Sequence, residues 1–163
     1  MSDQQTPPRP TRLTPEMALR AGRVVAEQLS KDGHIEPRQF NDAAADIARH
    51  GRPHMDGYKL AKALDDDEGW DCDMQMVEAL DDFSHAADKE IKAAQKAWAE
   101  ANDIKPPFPV GTSVIARWGG DDYPGTIDQV FGYGVAQYAV KADGETGTTR
   151  MIVDYENVRE AVL

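Results

Sequence analysis

Few side chains of this 163-residue chain stand where they could do covalent or metal chemistry. Cys72 is the lone cysteine, and Asp71 and Asp73 flank it. Neighbouring carboxylates raise the pKa of a thiol and keep it protonated, which opposes thiolate catalysis. His50 and His54 could begin a zinc site, but no Cys or His pair completes a tetrahedral set. The sequence therefore predicts no catalytic residue, no metal site and no cofactor, and favours a protein that is not an enzyme.

Negative charge is the strongest feature of the composition. The net charge is −11, and residues 56–103 hold 14 acidic against 5 basic side chains. Such a field repels a phosphate backbone, so direct nucleic-acid binding is not expected. Two interpretations stay open: a solvated, solubilising face, or a face that engages a basic protein or imitates DNA. The candidate acidic surface consists of Asp65, Asp66, Asp67, Glu68, Asp71 and Asp73.

The hydrophobic pattern predicts an acidic helical domain over residues 13–104, after a disordered tail over residues 1–12. Four helices are expected, beginning near Thr14, Pro37, Tyr58 and Asp73. The third is expected to end at about Leu64, so that the acids that follow form a turn. We interpret the acid run over residues 65–73 as lying at the N-terminus of the fourth helix, where the helix dipole favours negative charge.

The fourth predicted helix, over about residues 73–102, carries an apolar seam. The seam residues are separated by alternating steps of three and four, which is typical of a helix that packs along another helix. Packing against the first helices of the same chain and a homodimer through the 73–102 helix both account for it. The seam consists of Val77, Leu80, Ser84, Ala87, Ile91, Ala94, Trp98 and Ala101.

A proline-rich segment over residues 105–109 marks a boundary. Three of its last four residues are proline, which ends any helix and makes a short, stiff linker. Beyond it, apolar residues alternate as they do in strands: Val114, Ala116 and Trp118 share one face of the first strand. Further strands are expected over about 126–131, 136–141 and 148–153, followed by a 3₁₀ turn and a short last strand. The fold class is therefore α+β, four helices followed by a small five-stranded barrel over 110–163.

Residues 109–160 resemble Tudor and related SH3-like barrels of the Royal type. In that family the open end of the barrel can hold an aromatic cage for a methylated Lys or Arg, whose charge is attracted to the ring faces. The resemblance implies Trp118, Tyr123 and Tyr138 as cage walls, with a carboxylate from Asp121, Asp122 or Asp143. The alternative is that Trp118 and Tyr138 fill the interior while Tyr123 covers the rim. The matching segments are Val110-Gly111, Ala116-Arg117-Trp118, Tyr123-Pro124-Gly125-Thr126-Ile127, Tyr138-Ala139-Val140 and Asn157-Val158-Arg159.

Two hypotheses for function follow. The first is a non-catalytic adaptor whose barrel docks on a protein partner through Trp118, Tyr123, Tyr133 and the neighbouring acids, and whose acidic helical surface supplies a second contact. The second is an acidic inhibitor of the phage or mobile-element type, which imitates DNA and blocks a host nucleic-acid-binding protein. No apolar run is long enough to cross a membrane, and a single cysteine is consistent with a reducing compartment. A cytoplasmic location is therefore expected.

Overall fold

The computed structural model describes residues 5–162; residues 1–4 of the predicted tail and residue 163 lie outside that range. Residues 5–12 contain no helix or strand. The described chain forms two compact units. One, here called the helical unit, comprises Arg9–Ala94, and the other, here called the sheet unit, comprises residues 5–8 and 95–162. The fold is of the α+β class, with four α-helices followed by a curled five-stranded antiparallel sheet.

Local signals place the helix ends. Thr14 Oγ1 accepts a hydrogen bond from the backbone N–H of Met17 at 3.3 Å, and Asp56 Oδ1 accepts one from Lys59 at 2.8 Å, so both helices begin with an N-cap. Gly69 ends the third helix in the left-handed conformation, with φ 72°. The helices are α1 (Pro15–Lys31), α2 (Phe40–His50, preceded by a 3₁₀ turn over Pro37–Gln39), α3 (Gly57–Glu68) and α4 (Met74–Ala101).

The core of the helical unit is built from all four helices. Small residues allow two close approaches of backbone: α1 meets α2 at Gly22, and α3 meets α4 at Gly57. A methyl group at either glycine would collide with backbone atoms of the neighbouring helix. The seam of α4 contributes to this core through Leu80 and Ala87, so packing within the chain accounts for that part of the seam. In the helical unit, the largest fully buried side chains are Val25, Leu29, Ile47, Leu60, Leu64, Leu80 and Phe83.

The predicted position of the acid run is wrong for its first half. Residues 65–68 are not a loop between helices. They are the last helical turn of α3, where the helix dipole disfavours negative charge. Only the second half precedes α4, and there Asp73 Oδ1 accepts a hydrogen bond from the Met76 N–H at 2.9 Å. The helix dipole therefore favours the negative charge of Asp73. The acids at the C-terminal end of α3 need a positive charge from elsewhere in the chain.

The sheet is an antiparallel meander of four strands, extended at the β1 edge by the last strand. The strand order is β4-β3-β2-β1-β5, so the chain adds strands in sequence until the final one returns to pair with the first. The strand β2 begins five residues earlier than the pattern predicted, because Gly119 and Gly120 make a two-residue turn with φ 62° and 96°. The strands are β1 (Ser113–Trp118), β2 (Asp121–Val130), β3 (Gln137–Ala142), β4 (Met151–Asp154) and β5 (Val158–Glu160), with a 3₁₀ turn over Tyr155–Asn157 before β5.

Candidate binding surface at the turn end of the sheet

Two of the connections between strands lie at the same end of the sheet. In an antiparallel meander alternate connections lie at the same end. The β1–β2 turn at Gly119-Gly120 and the β3–β4 connection over residues 143–150 therefore share an end, here called the turn end, and the β2–β3 loop over 131–136 lies at the opposite end. The Gly125↔Ala142 pairing and the hydrogen bond from the Asp143 N–H to the Pro124 carbonyl (3.0 Å) are consistent with this.

Trp118 and Tyr123 form an exposed aromatic pair at the turn end. Their ring centroids lie 6.3 Å apart with an interplanar angle of 70°, an edge-to-face contact. Trp118 is 50% exposed and Tyr123 is 37% exposed. Tyr123 pairs with the buried Ala116, and Trp118 pairs with Asp121, so all four belong to the inner face of the curled sheet. Beyond the buried core, that face therefore presents two rings and one exposed carboxylate to solvent.

Asp121 and Asp122, the two acids that follow the turn, lie on opposite faces of the sheet because successive side chains of a strand alternate between faces. Asp122 is paired with Arg117 across β1 and therefore lies on the outer face. There it accepts a hydrogen bond from Arg159 Nη2 at 3.1 Å. Asp121 is the acid that shares a face with the aromatic pair, while the charge of Asp122 is compensated on the other side of the sheet. A cation held by the rings would meet Asp121.

Tyr138 does not belong to this surface, which corrects its assignment as a cage wall. Its side chain is 0% exposed and lies in the core with Val114, Ile127 and Val140. The backbone N–H of Phe108 donates a 2.6 Å hydrogen bond to Tyr138 Oη. Burial raises the pKa of the Tyr138 phenol, and the bond from Phe108 opposes that rise only in part. The ring fills the interior, so it cannot face a ligand.

Tyr133 is exposed but lies at the wrong end to act with the aromatic pair. It sits in the β2–β3 loop, is 84% exposed and makes an edge contact with Phe131 at 5.7 Å between centroids. Tyr123 and Val130 are separated by seven residues of β2, a length of about 20 Å in a strand. Tyr133 and the pair Trp118–Tyr123 therefore cannot hold one side chain of a partner.

Asp143, the third acid that the resemblance implied as a candidate, is brought to the turn end by the topology. Asp143 begins the β3–β4 connection and is exposed. Glu145, two residues on, accepts a 2.6 Å hydrogen bond from the Gly147 N–H and is half-buried. The tight-turn signal of Asp143-Gly144 and the pairing order of the strands suffice to find this acid. The turn end thus carries both Asp121 and Asp143, and of the two only Asp121 is placed by the strand register on the face of the aromatic pair.

In the helical unit, three of the six acids proposed as a surface lie within ion-pair distance of an arginine or a histidine: Asp67, Glu68 and Asp73, the last 3.8 Å from His34 Nδ1. Glu68 contacts the Arg49 guanidinium and lies 3.0 Å from His50 Nε2, while Asp67 lies 3.6 Å from His50 Nδ1. Arg49 and His50 belong to the C-terminal turn of α2, and Arg49 supplies the charge compensation that the acidic end of α3 needs. Asp65, Asp66 and Asp71 form no ion pair within residues 5–162. The uncompensated acidic surface is therefore about half the predicted set.

This ion-pair cluster makes the helical unit sensitive to acid. Hydrogen bonding from His50, and then from Arg49, holds the pKa of Glu68 below its ordinary value. The folded protein therefore binds fewer protons at this site than the unfolded chain, and the contribution is lost as pH falls below about 4. We expect the urea midpoint of the wild type to fall over that range more steeply than that of Glu68→Gln, measured by the far-UV helix signal. Equal slopes for both proteins would contradict the assignment, and Asp66→Asn serves as the unpaired control.

Cys72 and His50 have separate surroundings in this fold, each next to acidic side chains. Burial raises the pKa of the Cys72 thiol, and Asp65, Asp71 and Asp73 raise it further, as the flanking acids predicted. His50 is engaged by the acids of α3 rather than by His54. Within the described part of the chain, no three His, Cys, Asp or Glu side chains are arranged to hold a metal ion. Among the described helices none combines the length and apolarity needed to cross a bilayer.

The chain matches no protein-family model, no curated protein and no solved structure. Its function is therefore inferred from the geometry of the turn end and from the distribution of charge in the two units.

Proposed function

We propose that the sheet unit is a non-catalytic, Tudor-like binding module that docks a positively charged segment of a partner protein at its turn end. Trp118 and Tyr123 form the aromatic wall, and Asp121 supplies the carboxylate that faces the bound cation. The strand order and the 3₁₀ turn before β5 support a barrel of the SH3-like type. The protein acts as an adaptor, and the acids of the helical unit add a second charged surface.

The single observation that carries this proposal is the exposed Trp118–Tyr123 pair beside Asp121. Large aromatic side chains that remain half exposed and in mutual contact are characteristic of recognition sites. Ring faces attract Lys, Arg and methylated ammonium groups, and a carboxylate within reach adds charge complementarity. Because Tyr138 is in the core, the wall consists of two rings and is open on one side. Such a site accepts a side chain that extends from a peptide backbone.

The alternative, an acidic inhibitor that imitates DNA, has narrower support. A mimic needs a row of uncompensated carboxylates that replaces a row of phosphates. Of the proposed acids, Glu68 is paired with Arg49, while Asp67 and Asp73 each lie beside a histidine. The hypothesis of a DNA mimic therefore depends on Asp65, Asp66 and Asp71. Charge reversal at these three residues would abolish inhibition of a nucleic-acid-binding partner and would leave peptide binding at the turn end unchanged.

Replacement of Trp118 by alanine is expected to weaken binding of a cationic peptide by about fivefold to thirtyfold, because a cation–π contact contributes about 1–2 kcal/mol when partly desolvated. The measurement is fluorescence anisotropy with labelled Lys-rich peptides, unmodified and trimethylated. The matched control is Tyr133→Ala, which removes an exposed aromatic ring from the opposite end of the sheet. Asp121→Asn should weaken binding several-fold and Asp122→Asn should not. If Tyr133→Ala abolished binding while Trp118→Ala left it intact, the proposed site would be wrong.

A further inference from the structure

A groove of about 600 Å³ opens in the helical unit, at the N-terminal end of α1 and the C-terminal end of α2. Its walls are largely apolar, and every ionisable side chain that lines it is an arginine. No carboxylate lines it, although the chain as a whole carries a net charge of −11. The apolar lining consists of Leu13, Pro15, Ala18, Ala48 and Pro53, and the arginines are Arg12, Arg49 and Arg52.

The three arginines differ in how far their charge is already compensated. Arg49 is engaged by Glu68, with Asp46 nearby at 3.4 Å, and contributes little free charge. Arg52 donates through Nη1 to the carbonyls of Arg49 (3.0 Å) and Gly51 (2.8 Å), which hold its guanidinium at the end of α2. Carbonyl groups orient a guanidinium without neutralising it. Neither Arg52 nor Arg12 forms an ion pair with any residue in the described range.

The backbone at the groove contributes potentials of both signs, because the C-terminal end of α2, where a helix dipole is negative, also lines it. Thr14 and Pro15, the N-cap and the first residue of α1, are lining residues, so the positive end of the helix dipole faces this region. The two helix ends oppose each other, so the positive potential of the groove comes from the two uncompensated guanidinium groups, Arg12 and Arg52. The groove therefore attracts carboxylates through its rim and apolar side chains through its walls.

We propose that this arginine-rimmed groove binds an acidic peptide segment of a partner protein, with an apolar side chain as its anchor. Guanidinium groups bind carboxylates with paired, charge-assisted hydrogen bonds, and Arg52 is already oriented by its carbonyl contacts. The volume lies in the range of sites that enclose a few side chains. The groove is chemically opposite to the turn end of the sheet unit and does not depend on it. An adaptor with both sites would join one acidic and one basic partner.

The test is fluorescence anisotropy of the full chain with three labelled peptides of equal length: one of Glu and Leu, one of Lys and Leu, and one of Glu and Ser. We expect the Glu–Leu peptide to bind more tightly than the other two, because only it meets both the arginines and the apolar walls. Arg12→Glu and Arg52→Glu should each weaken it about tenfold. Arg23→Glu, on the exposed face of α1, changes the net charge equally and should have no such effect. Raised ionic strength should weaken binding.

The outcomes separate this site from the turn end. Trp118→Ala should leave Glu–Leu binding unchanged, so loss of one site does not imply loss of the other. The assignment fails if the Glu–Leu and Lys–Leu peptides bind equally, or if Arg23→Glu acts as strongly as Arg52→Glu. It also fails if phosphatidylserine vesicles bind the chain and no peptide does, since the groove would then serve an anionic surface. Circular dichroism of each variant ensures that a loss of binding is not a loss of fold.

Discussion

Tyr138→Ala is expected to destabilise the sheet unit by about 4 kcal/mol, a large part of the stability of a small domain. Tyr138 is the largest side chain of the core that is fully buried, and it lies on β3, which pairs with both β2 and β4. Its removal leaves a cavity among Val114, Ile127 and Val140. It also leaves the Phe108 N–H without its acceptor. Hydrogen exchange read by mass spectrometry should show loss of protection in peptides from β2 and β3.

Two controls separate the interior role of Tyr138 from a role at the surface. Tyr138→Phe keeps the ring and removes only the acceptor, so a cost of about 1–2 kcal/mol is expected. Trp118→Ala should cost less than about 1 kcal/mol in stability, since half of the indole is already exposed, while it abolishes most of the peptide binding. If Tyr138→Ala kept full protection and lost only binding, the buried assignment would be wrong.

Gly57→Ala is expected to destabilise the helical unit by about 3 kcal/mol. A Cβ atom at this position would collide with the carbonyl oxygen of Val77 and would lie 2.6 Å from the backbone nitrogen of Asp81. Backbone atoms of α4 cannot rotate away as a side chain can, so α3 would have to move. That movement would also break the 2.8 Å hydrogen bond from the Gly57 N–H to Asp81 Oδ1. The far-UV helix signal in urea measures the effect.

The matched control for Gly57 is Gly69→Ala at the opposite end of α3. Gly69 has φ 72° and open space around its α-carbon, so alanine there meets only the strain of the left-handed conformation, about 1 kcal/mol. The expected order of destabilisation is therefore Gly57→Ala well above Gly69→Ala. The reverse order would show that conformation rather than the close approach of α3 to α4 limits stability.

The proposed sites give the two units complementary roles. The turn end of the sheet unit carries exposed rings beside Asp121, and the groove of the helical unit carries Arg12 and Arg52 beside apolar walls. The first selects cations and the second selects carboxylates. An adaptor of this kind would distinguish its partners by the sign of their charge, and the single variants Trp118→Ala and Arg52→Glu would each uncouple one partner.

Several elements were determined by the sequence alone because their signals are local. Thr14-Pro15 marks the start of α1, the regular apolar spacing predicts the long α4, and the alternation of Val114 and Ala116 predicts the first strand. Capping, a repeat of 3.6 and a repeat of 2 need no distant partner. The α+β class and the order of helices before strands follow from these signals.

Only the tertiary structure decided which of these residues meet. Trp118 and Tyr138 are both aromatic residues of strands, yet one is half exposed and the other is buried, since burial depends on where neighbouring strands end. The acids of α3 became partners of Arg49 and His50 because α2 ends beside them. Arg12 and Arg52 are forty residues apart in the chain and line one groove. Contacts between distant segments have no signal in a local pattern, and such contacts create the arginine-rimmed groove, whereas Trp118 and Tyr123 meet across a single tight turn.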